Sequence, residues 1–369
     1  MKKSVLLHVS PNMFPDINVN HATKKIWKEL SKGFDEYHLF ARSSDKKYHF
    51  YTEGNINLHL IPTFSKKARS FFLVSFLTIY FAKRYRVTQM IAQCPITTGL
   101  AVSLTSKLLK IPFMTEIHGM EYLNLMKRKD VIGHFSNLYL RFVFKSSHKL
   151  RSLSSKMTEL IEELQIESNI VEIPNRVNFN IFNNPKNHFE ITQPINITSV
   201  GRFVPEKGYE LLIQSIIELS DDFNINLTLV GGGSLESRYI SLIGDNKNIN
   251  LIKWIPQEEF IDILHETDIY IQSSISEGMP RTILEAMAMR LPIISTNVGG
   301  ILGVLEDEHN ALIINPHSVN EIKSAIKELV SDEHKRVSIA NNAFEDVREK
   351  YEWNNIFNLY REELKKMSY

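Results

Sequence analysis

Short apolar runs alternate with stretches of helical periodicity along nearly all of this 369-residue chain. In the first half, residues 4–10, 37–41, 57–61, 88–94, 112–117, 149–153 and 170–173 are runs of four to seven positions rich in apolar side chains, which predicts strands. Between them, 19–32, 97–109, 134–145 and 156–164 carry apolar residues at helical spacing. Residues 174–194 break the pattern: they are rich in Asn and Pro, lack periodicity and read as a link between two domains. A second series follows, with strands at 195–200, 226–230, 250–254, 268–272, 291–296 and 311–314 and helices at 206–219, 235–243, 258–265, 282–289 and 319–330, then helical segments to the end. Repeated strand–helix alternation predicts an α/β protein built on parallel sheets covered on both faces.

Composition adds little to that picture, since 43% apolar and 23% charged residues are ordinary for a soluble globular protein. The one cysteine, Cys94, excludes an internal disulfide and points to a reducing compartment. Lys2 and Lys3 before the run from Val5 to Val9 imitate a signal peptide, but the run is too short and ends at Ser10-Pro11, so it reads as a first buried strand.

Charge is divided unevenly. Residues 1–190 hold 27 Lys and Arg against 15 Asp and Glu, a net +12, while the remainder holds 16 against 27, a net −11, which together give the overall +1. No acidic residue lies between Glu53 and Glu116. Inside that interval, residues 71–81 (FFLVSFLTIYF) are flanked by Lys66, Lys67 and Arg69 on one side and Lys83, Arg84 and Arg86 on the other. At ~1.5 Å per residue, a helix of this length falls far short of the ~30 Å needed to span a bilayer. Two readings stand: a core helix with solvated basic ends, or an interfacial element whose cations meet anionic lipid headgroups. The basic half carries no recognisable nucleic-acid module, so nucleic acid is not an expected partner.

The chemistry concentrates around residues 277–285 (EGMPRTILE), where Glu277 and Glu285 stand either side of a loop-to-helix junction. A strand that ends in a tight turn and opens a helix offers unpaired N–H groups and a partial positive charge, which suit a diphosphate. The two carboxylates would be repelled by phosphate and suit sugar or ribose hydroxyls instead. The octet 201–208 (GRFVPEKG) places Arg202 and Lys207 at the carboxyl end of a strand, where doubly wound folds bind ligands and two cations can hold a diphosphate without metal. Gly231-Gly232-Gly233 is not a GxGxxG fingerprint, since Glu236 stands where the last glycine belongs, and there is no P-loop; close packing at a turn explains it. His118-Gly119 follows a strand and sets an imidazole at the edge of the first sheet.

The pieces GRFVPEKG, EGMPRTILEAM, LPIISTNVGG (291–300) and PNRV (174–177) together resemble glycosyltransferase family 4, retaining enzymes of GT-B fold and, here, of bacterial surface-polysaccharide type. The resemblance is dense over 195–316 and rests on pattern, His118-Gly119 and PNRV elsewhere. It implies two Rossmann-like doubly wound domains facing each other across an interdomain cleft. The first would be an acceptor-binding domain over 1–185, the second a nucleotide-sugar domain over 186–350, and a C-terminal helix at 351–369 would pack back on the first. Residue by residue, Arg202, Lys207, Thr282 and Ile283 would hold the donor diphosphate. Gly278, Met279 and Pro280 would line the donor sugar, Glu285 would take the ribose, and Trp254 and Ile255 would bracket the base. Glu277 and His118 would be catalytic. The implied activity is transfer of a hexose-type sugar from a UDP- or GDP-sugar, with no cofactor and no metal, to a saccharide or lipid-linked acceptor in capsule, lipopolysaccharide or exopolysaccharide synthesis. The implied location is the cytoplasm, peripheral on the inner face of the plasma membrane. A nucleotide-sugar binding protein or epimerase of the same fold is the alternative. Two departures from the family pattern are visible: residues 11–20 lack a Gly-Gly pair, and Met289-Arg290 replaces the usual Cys-Gly, which reads as a surface change.

Overall fold

The computed structural model describes residues 3–18, 21–45, 47–65 and 67–368. The chain forms two compact units, Met1–Ile173 with Asn354–Tyr369, and Pro174–Trp353.

The first unit is built on an eight-stranded sheet of β1 (Val5–Phe14), β2 (Glu36–Ser43), β3 (His49–Glu53), β4 (Ile56–Ile61), β5 (Gln89–Ala92), β6 (Phe113–Glu116), β7 (Lys149–Ser152) and β8 (Ile170–Glu172). The spatial order is β3-β4-β2-β1-β5-β6-β7-β8, parallel throughout except for the β3–β4 hairpin. Strand β3 is absent from the sequence reading because it is an edge strand with no fully buried position, so it has no apolar run to betray it.

The second unit holds β9 (Ile195–Arg202), β10 (Ile225–Gly232), β11 (Ile249–Ile252), β12 (Ile269–Gln272), β13 (Ile293–Thr296) and β14 (Leu312–Ile314), all parallel, in the order β11-β10-β9-β12-β13-β14. Strand order reverses between β9 and β12, and the carboxyl ends at such a switch point form a crevice where ligands bind. Ile197, Leu227, Leu229 and Ile271 pack against Leu212, Ile213 and Ile216 of the helix Tyr209–Leu219. Each such fully buried aliphatic side chain contributes about 1.5–3 kcal/mol of transfer free energy.

The segment read as a link is instead a strap on the second unit, so the boundary falls at Ile173/Pro174 rather than 185/186. Val177 N–H donates to the Tyr351 carbonyl (3.0 Å) and Lys186 N–H to that of Met289 (2.9 Å). The Lys186 ammonium reaches Asp268 at 2.9 Å, and Arg336 donates to the Phe189 carbonyl at 2.9 Å. Asn- and Pro-rich composition without periodicity predicts a link between domains, but partners remote in sequence satisfy these groups. Met289 is no surface residue either: it is buried, while the Arg290 guanidinium lies over the Phe344 ring at 4.5 Å. Arg290 also adopts φ 56°, the left-handed conformation that favours glycine.

Residues 71–81 divide between the two expectations. The segment is a broken helix, Phe71–Val74, a 3-10 turn at Ser75–Leu77, then Thr78–Arg84. Phe71 and Phe81 pack on the Phe40 ring at 5.2 and 4.9 Å, so one face belongs to the core. The other face points outward, with Leu73 63% and Tyr80 60% exposed. Lys66 lies outside the described residues, as does the start of the helix expected from residue 19, observed as His21–Ser31. Among the described residues no helix is long and apolar enough to cross a membrane. The helix Trp353–Lys365 contributes to the first unit, where Lys149 Nζ meets Glu363 at 2.5 Å and Tyr360 reaches Glu116.

Candidate active site

The carboxyl edge of the second sheet collects the predicted groups of that unit. Strand β9 ends at Arg202, which is exposed, and a 3-10 turn Pro205–Lys207 follows. The helix expected from 206 therefore starts only at Tyr209, because Gly208 interrupts with φ 64°. A Cβ on Gly208 would also lie 2.2 Å from the Ser273 carbonyl oxygen, so this turn can press against the end of β12 only as glycine. Ser273 Oγ donates in return to the Lys207 carbonyl at 3.1 Å. That double contact brings the Lys207 ammonium to 2.5 Å from Glu277 Oε1.

Glu277 Oε1 accepts two further bonds, from Ser274 Oγ at 2.6 Å and Gln272 Nε2 at 2.9 Å. Gln272 is itself oriented by Tyr270, whose hydroxyl donates to Gln272 Oε1 at 3.1 Å. Tyr270, Gln272 and Ser274 are all buried and at period two, so they share one face of the β12 end. Among the described residues nothing donates to Glu277 Oε2, so three donors lock one oxygen and leave the other for an incoming hydroxyl. The sequence reading missed Gln272 and Ser274, although polar side chains at alternate positions closing an apolar strand were a usable signal.

The loop then turns into the helix Arg281–Ala288, capped by Pro280 without any side-chain bond, so its first backbone N–H groups are unfilled donors. Thr282 and Ile283 supply two of these; the Ile283 side chain itself is buried and anchors the helix. Met279 also faces inward: it is buried, and Asn175 donates to its carbonyl at 2.6 Å. Asn175 is thus the residue of the PNRV motif that fixes this loop.

Glu285 lies one turn into the helix, partly buried. Loss of water around its carboxyl, eased slightly by Arg281, pushes its pKa up from 4.5 to about 7. Folding therefore takes up a proton between these values, so the stability Glu285 permits is fully present below pH 4.5 and declines as pH rises through about 7. Glu285→Gln removes that titration; it should flatten the decline and exceed the wild type by about 2–3 kcal/mol at pH 8, as read from denaturant melts at pH 5 and pH 8. At the far end of the same edge, Trp254 is 60% exposed and Ile255 half-buried. The Trp254 indole lies 3.8 Å from where a Cβ on Gly232 would stand. Gly231 and Gly233 press on backbone instead, a Cβ there falling 1.9 Å from the Gly201 oxygen and 2.5 Å from the Phe203 oxygen, which is the close packing the triple glycine implied.

In the first unit, His118 follows β6 and its Nε2 lies 2.9 Å from Glu116 Oε2. Glu116 is buried, which raises its carboxyl pKa. The charge His118 carries when protonated, the Arg151 charge and the His118 hydrogen bond outweigh that and hold it well below the usual carboxylate range. Among the described residues no group of three or more His, Cys, Asp or Glu is arranged to hold a metal ion.

The carboxyl edge at this switch point thus carries an uncapped helix start, two basic side chains and a pair of carboxylates, and comparison with known proteins bears on the class. Residues 180–346 match the model of the family Glycosyl transferases group 1. An uncharacterized glycosyltransferase of Methanocaldococcus jannaschii is 26% identical over 259 residues, 69% of this chain and 68% of that protein. The capsular polysaccharide biosynthesis glycosyltransferase CapM of Staphylococcus aureus is 27% identical over 189 residues, and the match spans 49% of each chain. Sucrose-phosphate synthase from Thermosynechococcus elongatus superimposes with TM-score 0.82 at 14% identity, over 99% of this chain and 100% of that one. Anabaena HepE in complex with UDP-glucose gives TM-score 0.73 at 14% identity over 98% and 99%. The fold of the chain is GT-B, a pair of Rossmann-like units.

Proposed function

We propose that this chain is a retaining glycosyltransferase that moves a hexose-type sugar from a UDP- or GDP-sugar to a saccharide or lipid-linked saccharide acceptor in cell-surface polysaccharide synthesis. The observation that carries the reading is the meeting of Lys207 and Glu277 at 2.5 Å beside an uncapped helix start. Arg202, Lys207 and the N–H groups of Thr282 and Ile283 take the diphosphate. Glu277, through its unfilled Oε2, orients donor sugar hydroxyls, Glu285 accepts from the ribose, and Trp254 with Ile255 flanks the base. The partners of this reading are drawn from the relatives, one named for capsular polysaccharide synthesis and one solved with UDP-glucose.

Breaking the anomeric C–O bond develops negative charge on the departing phosphate and positive character on the sugar. Fixed cations and helix-end N–H groups stabilise that charge more in the transition state than in the bound donor, which is what accelerates the step. With Arg and Lys supplying positive charge at the phosphates, the reaction needs no divalent metal. The acceptor hydroxyl attacks from the face the nucleotide leaves, and the departing phosphate oxygen takes its proton, which preserves the anomeric configuration.

The test is release of nucleoside diphosphate from a panel of UDP- and GDP-sugars with and without oligosaccharide acceptors. Release that depends on acceptor, with an α- or β-linkage matching the donor, is expected. Donor binding without release, or isomerised donor, would instead assign a binding protein or an epimerase.

The outward face of Leu73, Leu77 and Tyr80, together with Lys67, Arg69, Lys83, Arg84 and Arg86, supports a peripheral contact with the inner face of the plasma membrane, where a lipid-linked acceptor would be presented. Sedimentation with vesicles containing anionic lipid should carry the protein down, and Leu73→Ser with Tyr80→Ser should abolish this. Equal recovery with neutral and anionic vesicles would leave only the core role of this segment.

A further inference from the structure

Glu116 is a buried carboxylate of the first unit, and its bonds are sorted between its two oxygens. Oε1 accepts from Arg151 Nη1 at 2.6 Å and from the Tyr360 hydroxyl, while Oε2 lies 2.9 Å from His118 Nε2. Arg151 is pinned in turn: its Nε donates to the Ile173 carbonyl at 2.9 Å and its guanidinium lies over the Tyr360 ring at 4.7 Å. Glu116, Arg151 and Tyr360 are all buried, and Tyr360 comes from the last helix, 244 residues along the chain from Glu116.

An ionised carboxylate only accepts hydrogen bonds. Facing Glu116 Oε2, the His118 Nε2 must therefore carry the hydrogen, and in the neutral ring Nδ1 is left bare as an acceptor. Among the described residues nothing bonds to Nδ1, and the ring is 37% exposed. We propose that Glu116, Arg151 and Tyr360 are positioning residues that hold His118 as the Nε2–H tautomer and present Nδ1 as the acceptor for a substrate hydroxyl, so that the C-terminal helix is part of the acceptor machinery. The inference rests on the transferase reading only for what Nδ1 meets; the tautomer itself is independent of it.

Glu116→Gln gives a test with a distinctive sign. Arg151 and Tyr360 both donate to the Oε1 position, so the amide oxygen settles there and the amide –NH₂ faces His118. Nε2 must then accept, and the hydrogen moves to Nδ1. In protein labelled with ¹⁵N-histidine, the His118 signals, assigned by their loss in His118→Gln, should show a protonated Nε2 in the wild type and a protonated Nδ1 in Glu116→Gln. Turnover of a nucleotide-sugar should fall on the order of 10²-fold with donor KM unchanged, because the wrong tautomer is presented.

Tyr360→Phe removes the hydroxyl that meets Glu116 and Arg151 while keeping both charged groups, and remains informative should Glu116→Gln fail to fold. It should lower kcat about fivefold, the worth of one ordinary hydrogen bond, with far-UV circular dichroism unchanged. An unaltered His118 tautomer in folded Glu116→Gln, or wild-type kcat in Tyr360→Phe, overturns the proposal. The expected tautomer switch in a protein that transfers no sugar would uphold the positioning device and defeat the transferase reading instead.

Discussion

Lys207→Ala should lower kcat/KM for sugar transfer on the order of 10²–10³-fold, with nucleoside diphosphate binding weakened alongside. Its ammonium sits at the carboxyl edge of the second sheet, held by a turn that Gly208 presses against β12 and by the 2.5 Å contact with Glu277. The turn fixes where the lysine stem leaves the backbone, while its ammonium is engaged by Glu277, so an incoming phosphate competes with that carboxylate for it. Glu277→Ala should be as damaging to kcat but should leave diphosphate affinity unchanged or improved, because it removes a negative charge and frees Lys207 to face phosphate. The opposite movement of affinity in the two variants, read by calorimetric titration with UDP and GDP, separates direct roles from collapse of the site. Turnover at the wild-type rate in either variant would defeat the assignment.

Arg151→Ala should destabilise the first unit by about 3–5 kcal/mol, the usual cost of leaving one member of a buried ion pair without its partner. Glu116 keeps the Tyr360 hydroxyl and His118, but neither replaces a guanidinium that also braces the Ile173 carbonyl and covers the Tyr360 ring. Since the chain has two units, the loss should appear in only one transition of a calorimetric scan, with the other unmoved. Arg151→Met, which fills the same space without charge, should be no better, because the buried carboxylate is what suffers. A shift of both transitions by equal amounts would argue against a network confined to the first unit.

The positions of the helical part of the candidate site and of its two basic side chains were legible because each sits at a punctuation mark. Gly278 and Pro280 announce the turn before the helix Arg281–Ala288, and the glycines at 201 and 208 bracket Arg202 and Lys207 just beyond a strand. Local stereochemistry decides such features, so they survive being read in one dimension. The partners of Glu277 were harder. Gln272 and Ser274 matter only because the β12 end points them at a carboxylate held by a turn from elsewhere in the unit. The strap at 174–194 misled for the same reason in reverse, its polar groups finding partners at Asp268, Met289, Arg336 and Tyr351 that no local rule anticipates.

By itself, then, the order of residues determined the alternation of strand and helix, the α/β class, the glycine-built turns and the placing of Arg202, Lys207, Glu277 and Glu285 at strand and helix ends. These follow from periodicity and backbone stereochemistry, which act over a few residues. Only the tertiary structure decided that Lys207 and Glu277 form one unit, that residues 71–81 show one face to the core and one to solvent, and that Tyr360 joins Arg151 on a carboxylate far away in the chain. The reason is physical: a buried charge is tolerable only when folding brings it a partner, and the distance along the chain to that partner is not written in either neighbourhood.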